Sequence, residues 1–288
     1  MTITRPRRSR SSAASRTQIS VAGWVAIGFL AVLVICAAAA PLLPIADPNA
    51  QSLSQRMLPP FSEGALFGTD ELGRDILSRL VYGARVSLLV GLSAVLIGGV
   101  IGTVLGVLAG HYRGVVDDVI SWLINVQLAF PFILLMIAVV AVLGPSLVNL
   151  IVVLGIGSWA VYARIARAEA LSIGRRDYIA ASRTLGVGDV RLLFRHVLPN
   201  VISPLIVIAS FEVASMIVAE ASMSFLGLGV GPDVPSWGSM ISSGRQYMQS
   251  AWWLTTLPGL AIACAVLAVN VVGDSLRDRL DPRQRRRS

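Results

Sequence analysis

Lysine is absent from this chain of 288 residues, and all 24 of its basic residues are arginine. A nucleotide-binding loop of the Walker type needs a lysine that reaches the phosphates of the nucleotide. The chain therefore cannot form that loop, and we expect it to have no catalytic residues and no cofactor of its own. Any step driven by ATP must occur on another chain.

Cysteine and histidine are also scarce, with two of each. Cys36 and Cys264 lie inside apolar runs, which is typical of small buried side chains rather than of a disulfide framework. His111 and His196 lie in different loops, with no spacing that suits a metal ion or a catalytic triad. We predict no metal site on this chain.

Charged residues make up only 14% of the chain, against 55% for hydrophobic residues, and the mean hydropathy is +0.74. A soluble core of this length needs less apolar surface, so we expect the excess to face lipid. About 20 apolar residues are needed to cross a bilayer core about 30 Å thick. The stretches that qualify, or nearly so, are 21–43, 86–109, 119–143, 147–163, 201–219 and 251–272. The predicted fold class is an all-α integral membrane protein with six transmembrane helices.

The arginines are distributed unequally between the two sets of loops. Nineteen lie in the tail 1–20, near residue 113, in the loop 164–200 or in the tail 274–288, and five lie in the other loops. Because arginine-rich loops remain cytoplasmic, we predict that both tails and the loop 164–200 are inside. The same distribution explains the net charge of +8 by topology, without a nucleic-acid partner. The tail 1–20 is interpreted as an uncleaved segment.

Three patterns outside the loop 164–200 concern packing and local structure. Gly98, Gly102, Gly106 and Gly110 recur every four residues, which predicts a helix face that packs closely on another helix of this chain or of a partner. In the outer segment 44–85, Thr69 is a plausible N-cap for a short amphipathic helix at the membrane interface. The turn pair Gly144-Pro145 predicts a tight hairpin between the third and fourth spans.

The loop 164–200 has a more specific internal order. After a polar break at residues 175–177, residues 178–185 form a predicted short helix with small side chains at 180–182, and Gly186 ends it. A second helix runs through Leu192 and Val197, and Pro199 marks the start of the fifth span. Such a short helix, held between two spans, is a rigid element that can dock on a soluble partner. The alternative is an ordinary surface loop.

This loop resembles the cytoplasmic "EAA" loop of permeases from ABC importers. Other stretches resemble the C-type permease of dipeptide and oligopeptide importers, in order from about residue 65 to 282: GTDELGRD (68–75), YGARVS (82–87), LAFP (128–131), RHVLPN (195–200), EASMSFLGLG (220–229), PSWGSM (235–240) and GDSLRD (273–278). One departure is visible at residues 180–182, which read Ala-Ala-Ser where such loops carry Glu-Ala-Ala. The acidic residue that would pair with the ATPase is absent.

The resemblance implies a type I permease fold with a permease domain at 86–273. It also implies a second, homologous permease in a heterodimer, two ATPase chains or one fused ATPase carrying ATP and magnesium, and an extracytoplasmic peptide-binding protein, all at a bacterial inner membrane. The residues expected to couple this chain to the ATPase are Tyr178, Ala181, Arg183, Leu185, Gly186 and Asp189.

Polar residues within the spans are candidates for the pathway or for helix packing. Glu212 is predicted to face the bundle interior or the partner rather than lipid. Glu220 suits either a structural bond to a neighbouring helix or a role in gating. Asn125 and Gln127 either line a passage or bond between helices.

Two other functions remain as alternatives. A secondary transporter driven by a proton gradient would use Glu212 and Glu220. An intramembrane protease would use Asp189, because residues 186–189 match a Gly-x-Gly-Asp motif. That chemistry needs a second aspartate in an adjacent span, whereas Asp189 lies in a predicted cytoplasmic loop.

Overall fold

The computed structural model of the chain describes residues 20–231 and 233–280. Apart from two isolated bridges, the regular structure in this part of the chain is helical. The α-helices are α1 (Val21–Ala39), α2 (Ile76–Tyr112), α3 (Gly114–Ala129), α4 (Phe132–Leu143), α5 (Leu147–Gly174), α6 (Asp177–Thr184), α7 (Asp189–Leu192), α8 (Leu198–Phe225), α9 (Trp237–Gly244) and α10 (Trp253–Leu280). A π-helical turn, Leu193–Val197, joins α7 to α8.

Five of the predicted spans are confirmed as helices long and apolar enough to cross a membrane, and they contain α1, α2, α5, α8 and α10. The third is not one helix, because α3 and α4 meet at an angle of 88° and count as a sixth crossing only when taken together. Pro131 explains the break: it has no N–H to donate, and it restricts Phe130 to the extended conformation with φ of −88° and ψ of 136°. The connection from α4 to α5 is the predicted tight turn, with Gly144 at a φ of +81°.

The prediction of a short outer helix that begins at Thr69 was wrong. Helix α2 begins at Ile76, and the N-cap is Asp75, whose carboxylate accepts a hydrogen bond of 2.7 Å from the backbone N–H of Ser78. Residues 68–75 fold instead into a turn, since Gly73 adopts a φ of +73° and its N–H donates to the Asp70 carbonyl. The part of the predicted helix from Ile76 onward is the beginning of α2, a helix of 37 residues.

A buried ion cluster holds this outer turn on the start of α2. The Nε of Arg74 lies 2.6 Å from Oδ2 of Asp70, and the Nε of Arg79 lies 3.7 Å from the same oxygen. Arg79 also donates to the carbonyl of Pro48, and the indole of Trp253 in α10 donates to the carbonyl of Thr69. The cluster therefore connects the outer segment to α2 and α10.

The glycine face of α2 packs on α5 of the same chain, which confirms the predicted close packing and identifies the partner helix. Gly98, Gly102, Gly106 and Gly110 are all buried. A Cβ added at Gly106 would lie 2.7 Å from Cβ of Ala166, and one added at Gly110 would lie 2.7 Å from Cβ of Ala170. Small residues on both helices thus allow the two backbones to approach closely.

The start of α8 follows from the presence of Pro199. The N–H of Leu198 donates to the carbonyl of Leu193, five residues earlier, which is the spacing of a π-helical turn. Pro199, which has no N–H to donate, follows directly in the first turn of α8. The predicted tail 1–20 lies outside the described residues except for Ser20, whereas residues 274–280 of the second predicted tail belong to α10.

Candidate functional site

The predicted short helix of the long loop is present as α6, and its end is set by Gly186. This glycine has a φ of +77°. Its N–H donates to the Arg183 carbonyl, and the next N–H, of Val187, donates to the Ser182 carbonyl. The two bonds form a Schellman motif, which satisfies carbonyls at the helix end and needs a left-handed residue at this position. The chain therefore turns sharply between α6 and α7.

A single side chain anchors α6 to the bundle. Ile179 is completely buried, whereas Leu185 is 82% exposed and Tyr178 is 40% exposed. Ala181, Arg183, Gly186 and Asp189 are exposed as well. All six residues predicted to couple the chain to an ATPase thus lie on one exposed loop, and we refer to them as the loop surface.

Both histidines lie next to residues of the loop surface, a placement that the sequence pattern did not predict. Nε2 of His111, at the end of α2, lies 3.4 Å from Oδ1 of Asp189. The ring of His196 lies 6.0 Å, centroid to centroid, from the ring of Tyr178. His111 and Asp189 are 78 positions apart in the chain, so no local pattern could have paired them.

In addition to the glycine contact between α2 and α5, an ion pair connects α3 to α5. Arg167 donates to both carboxylate oxygens of Asp117, with a distance of 2.8 Å from Nη2 to Oδ2. Ser121 donates to the same carboxylate. Helix α5, which leads into α6, is therefore bound to both α2 and α3.

A second feature is a cavity of about 450 Å³ between the break of α3 and α4, helix α5 and helix α8. Glu212 is half-buried and lines it, together with Gln127, Ser158, Ser215 and Ser222. The amide of Gln127 also donates to the carbonyl of Gly157, 3.3 Å away, so this residue both bonds between helices and lines a cavity. Asn125 is exposed and outside the lining.

Glu220 lies apart from that cavity and is fully buried. Its carboxyl accepts hydrogen bonds of 2.7 Å from Ser87 on α2 and 2.7 Å from Ser224 on α8. Nearby, the indole of Trp237 on α9 donates to the carbonyl of Leu80 on α2. Of the two roles left open for Glu220, these contacts account for the structural one, because the carboxyl connects α8 to α2.

Replacement of Glu220 by glutamine is expected to destabilise the chain by about 1–3 kcal/mol. The amide has a single accepting oxygen, so one of the two serine hydroxyls loses its acceptor in a buried position. The measurement is the thermal unfolding of the purified protein in detergent, with Glu63→Gln in the exposed outer segment as the control. Identical unfolding temperatures for the two variants would contradict the structural role.

Comparisons with known proteins agree with this architecture. The model of the family described as binding-protein-dependent transport system inner membrane component matches residues 102–286. The di/tripeptide transport system permease of Pseudomonas aeruginosa is 46% identical over 88% of this chain and 86% of its own length. The dipeptide transport system permease of Alkalihalophilus pseudofirmus is 39% identical over 97% of this chain and 91% of its own.

A solved structure supports the fold separately. A chain of the inward-facing MetNI methionine ABC transporter superimposes with a TM-score of 0.59 at 21% identity, covering 72% of this chain and 98% of its own length. At that identity the similarity concerns the fold alone, which is the type I permease fold predicted from the sequence.

Proposed function

Because this chain belongs to the family of binding-protein-dependent transport system inner membrane components, we propose that it is a permease subunit of an ABC importer that takes up peptides. The names of its relatives support the cargo class, since they include di/tripeptide and dipeptide permeases. In this proposal a second, related permease completes the pathway, and a binding protein outside the membrane delivers the peptide.

The observation that carries the proposal is the exposure and rigid shape of the loop surface. An exposed helix of eight residues, anchored by one buried isoleucine and ended by a Schellman motif, is a rigid projection. Large apolar side chains are exposed on the loop surface at Leu185 and, close to it in the chain, at Val190 and Phe194. Exposed apolar groups within a charged loop are typical of a contact with another protein. The partner we propose is an ATPase, as two chains or one fused chain, which binds ATP and magnesium.

The packing of α5 explains how movement at the loop surface would reach the spans. Helix α5 ends at Gly174, and α6 begins at Asp177. The close contact with α2 and the Arg167–Asp117 ion pair make these helices move with α6. We therefore propose that closure of the ATPases shifts α5, α2 and α3 together and switches the pathway between outward and inward access.

The distribution of arginine supports an orientation with both termini and the loop surface in the cytoplasm. The alternative of a proton-coupled secondary transporter has no support from the relatives or the fold. The protease alternative conflicts with the surroundings of Asp189, whose side chain is 60% exposed and faces His111 rather than a second carboxylate.

Co-purification tests the proposal. The tagged chain, extracted from its native membrane, is expected to bring with it a second permease and an ATPase, and proteoliposomes containing this complex and the binding protein should take up trialanine only with ATP. Uptake by the isolated chain under a proton gradient, lost on Glu212→Gln, would support the secondary transporter instead. ATP-driven uptake of nickel or glutathione, without trialanine, would leave the importer in place and overturn the peptide cargo.

A further inference from the structure

The cavity lined by Glu212 offers hydrogen-bond acceptors more than donors. Its lining contains a carboxylate, a carboxamide and serine hydroxyls, and it contains no arginine or histidine. The remaining lining residues are apolar or glycine. A volume of about 450 Å³ lies within the range of sites that bind small molecules.

Most donors in this lining are already engaged with backbone carbonyls. Ser215 donates to Phe211, Ser222 donates to Val218, and Ser158 donates to Gly155. An N–H of Gln127 is directed to the carbonyl of Gly157. Apart from the second N–H of Gln127, what these groups still offer is acceptor capacity: the lone pairs of the hydroxyls and the carboxamide oxygen. The cavity is therefore suited to a ligand that donates several hydrogen bonds.

The charge of the lining also favours a ligand that donates hydrogen bonds. Glu212 is the one charged residue in the lining, and Ser215, Ala219 and Ser222 follow it on the same face of α8, at helical spacing. A carboxylate within a membrane-crossing helix is costly unless it faces water, a partner charge or a ligand. A cation with several N–H donors would satisfy both the charge of Glu212 and the acceptors around it.

We propose that this cavity binds the free terminal ammonium group of a peptide during its passage, with Glu212 as the counter-ion and Gln127, Ser215 and Ser222 as hydrogen-bond acceptors. The inference rests on the proposed function as a peptide importer and adds a site within the membrane. An ammonium group carries three donors and no acceptor, which matches the lining. The permease would then recognise the amino terminus of its cargo after the binding protein releases it.

The test uses the complete importer and its binding protein in proteoliposomes, with radiolabelled trialanine as the probe. At saturating loaded binding protein, Glu212→Gln is expected to lower the initial rate of uptake by about tenfold or more, because the hydrogen bonds to a charged acceptor are lost. ATP hydrolysis stimulated by the loaded binding protein should continue. Glu63→Gln, which removes an exposed outer charge, should leave uptake unchanged.

Two outcomes separate this inference from the proposed function. Uptake that is unchanged in Glu212→Gln overturns the ammonium site and leaves the importer intact. A wild-type complex that hydrolyses ATP and takes up no trialanine overturns the peptide cargo, and the ammonium site with it.

A second pair of variants covers the case in which Glu212→Gln fails to assemble. Ser222 is half-buried and lines the cavity from α8, so the cavity itself offers the space for an arginine or a glutamine at this position. Ser222→Arg introduces a cation that repels an ammonium group, whereas Ser222→Gln adds a long neutral side chain. We expect the arginine variant to take up trialanine about tenfold more slowly than the glutamine variant. Equal rates in the two variants would show that only side-chain size matters and would overturn the proposal.

Discussion

Replacement of Gly186 by proline is expected to abolish ATP-driven transport while the chain still inserts into the membrane. Proline fixes φ near −65° and has no N–H, whereas Gly186 has a φ of +77° and donates its N–H to the Arg183 carbonyl. The substitution therefore breaks the Schellman motif and redirects the chain after α6. Peptide uptake and ATPase activity in proteoliposomes measure the effect, and membrane yield measures insertion.

Gly188 offers a matched control two residues further on. Its φ of −64° is the angle that the proline ring imposes, and it precedes α7 as the N-cap residue. Gly188→Pro is expected to retain most of the transport activity. Normal uptake by Gly186→Pro at normal expression would contradict the role of α6 as the coupling element.

Replacement of Gly102 by valine is expected to separate α2 from α5 and to destabilise the bundle by about 3 kcal/mol, the upper part of the usual cost of overpacking. A Cβ at this position would lie 2.6 Å from Cβ of Tyr162 and 2.9 Å from the backbone nitrogen of Ala163. Backbone atoms cannot move aside as a flexible side chain can, so the helices must part. Thermal unfolding in detergent measures the loss.

The control is Gly99→Val on the same helix. A Cβ at Gly99 would lie 3.6 Å from the nearest atom, in the ring of Tyr162, which is an ordinary contact. Gly99 also lines a groove of about 430 Å³ between α2 and α8, where a larger side chain has room. Unfolding temperatures that fall equally in both variants would indicate a general intolerance of valine in α2 rather than a specific contact with α5.

Several features of the fold were predictable because they depend on neighbours in the chain. The long apolar helices follow from runs of apolar residues, and the end of α6 follows from a glycine after a short helical segment. The close packing of α2 follows from four glycines at helical spacing. The sequence did not identify α5 as the partner helix, since that choice depends on the complementary small residues Gly155, Ala163 and Ala166 on a distant segment.

The errors arose where a distant contact or a single proline overrode the local pattern. The predicted helix at Thr69 rests on Leu72, Ile76 and Leu80, which recur every four residues. The turn at Gly73 and the hydrogen bonds of Asp70 keep Leu72 out of α2. The apolar stretch 119–143 is continuous in composition, yet Pro131 divides it into two helices at 88°. A span of sufficient hydropathy is thus not necessarily one helix.

By itself, the sequence determined that this chain crosses the membrane several times, that it lacks a Walker loop and that it carries an arginine-rich loop with a defined short helix. Composition and local spacing are enough for these conclusions. Only the tertiary structure decided that Glu220 connects α8 to α2, that both histidines lie next to the loop surface, and that Glu212 lines a cavity rich in acceptors. These are contacts between residues far apart in the chain, and they exist only once the helices have packed.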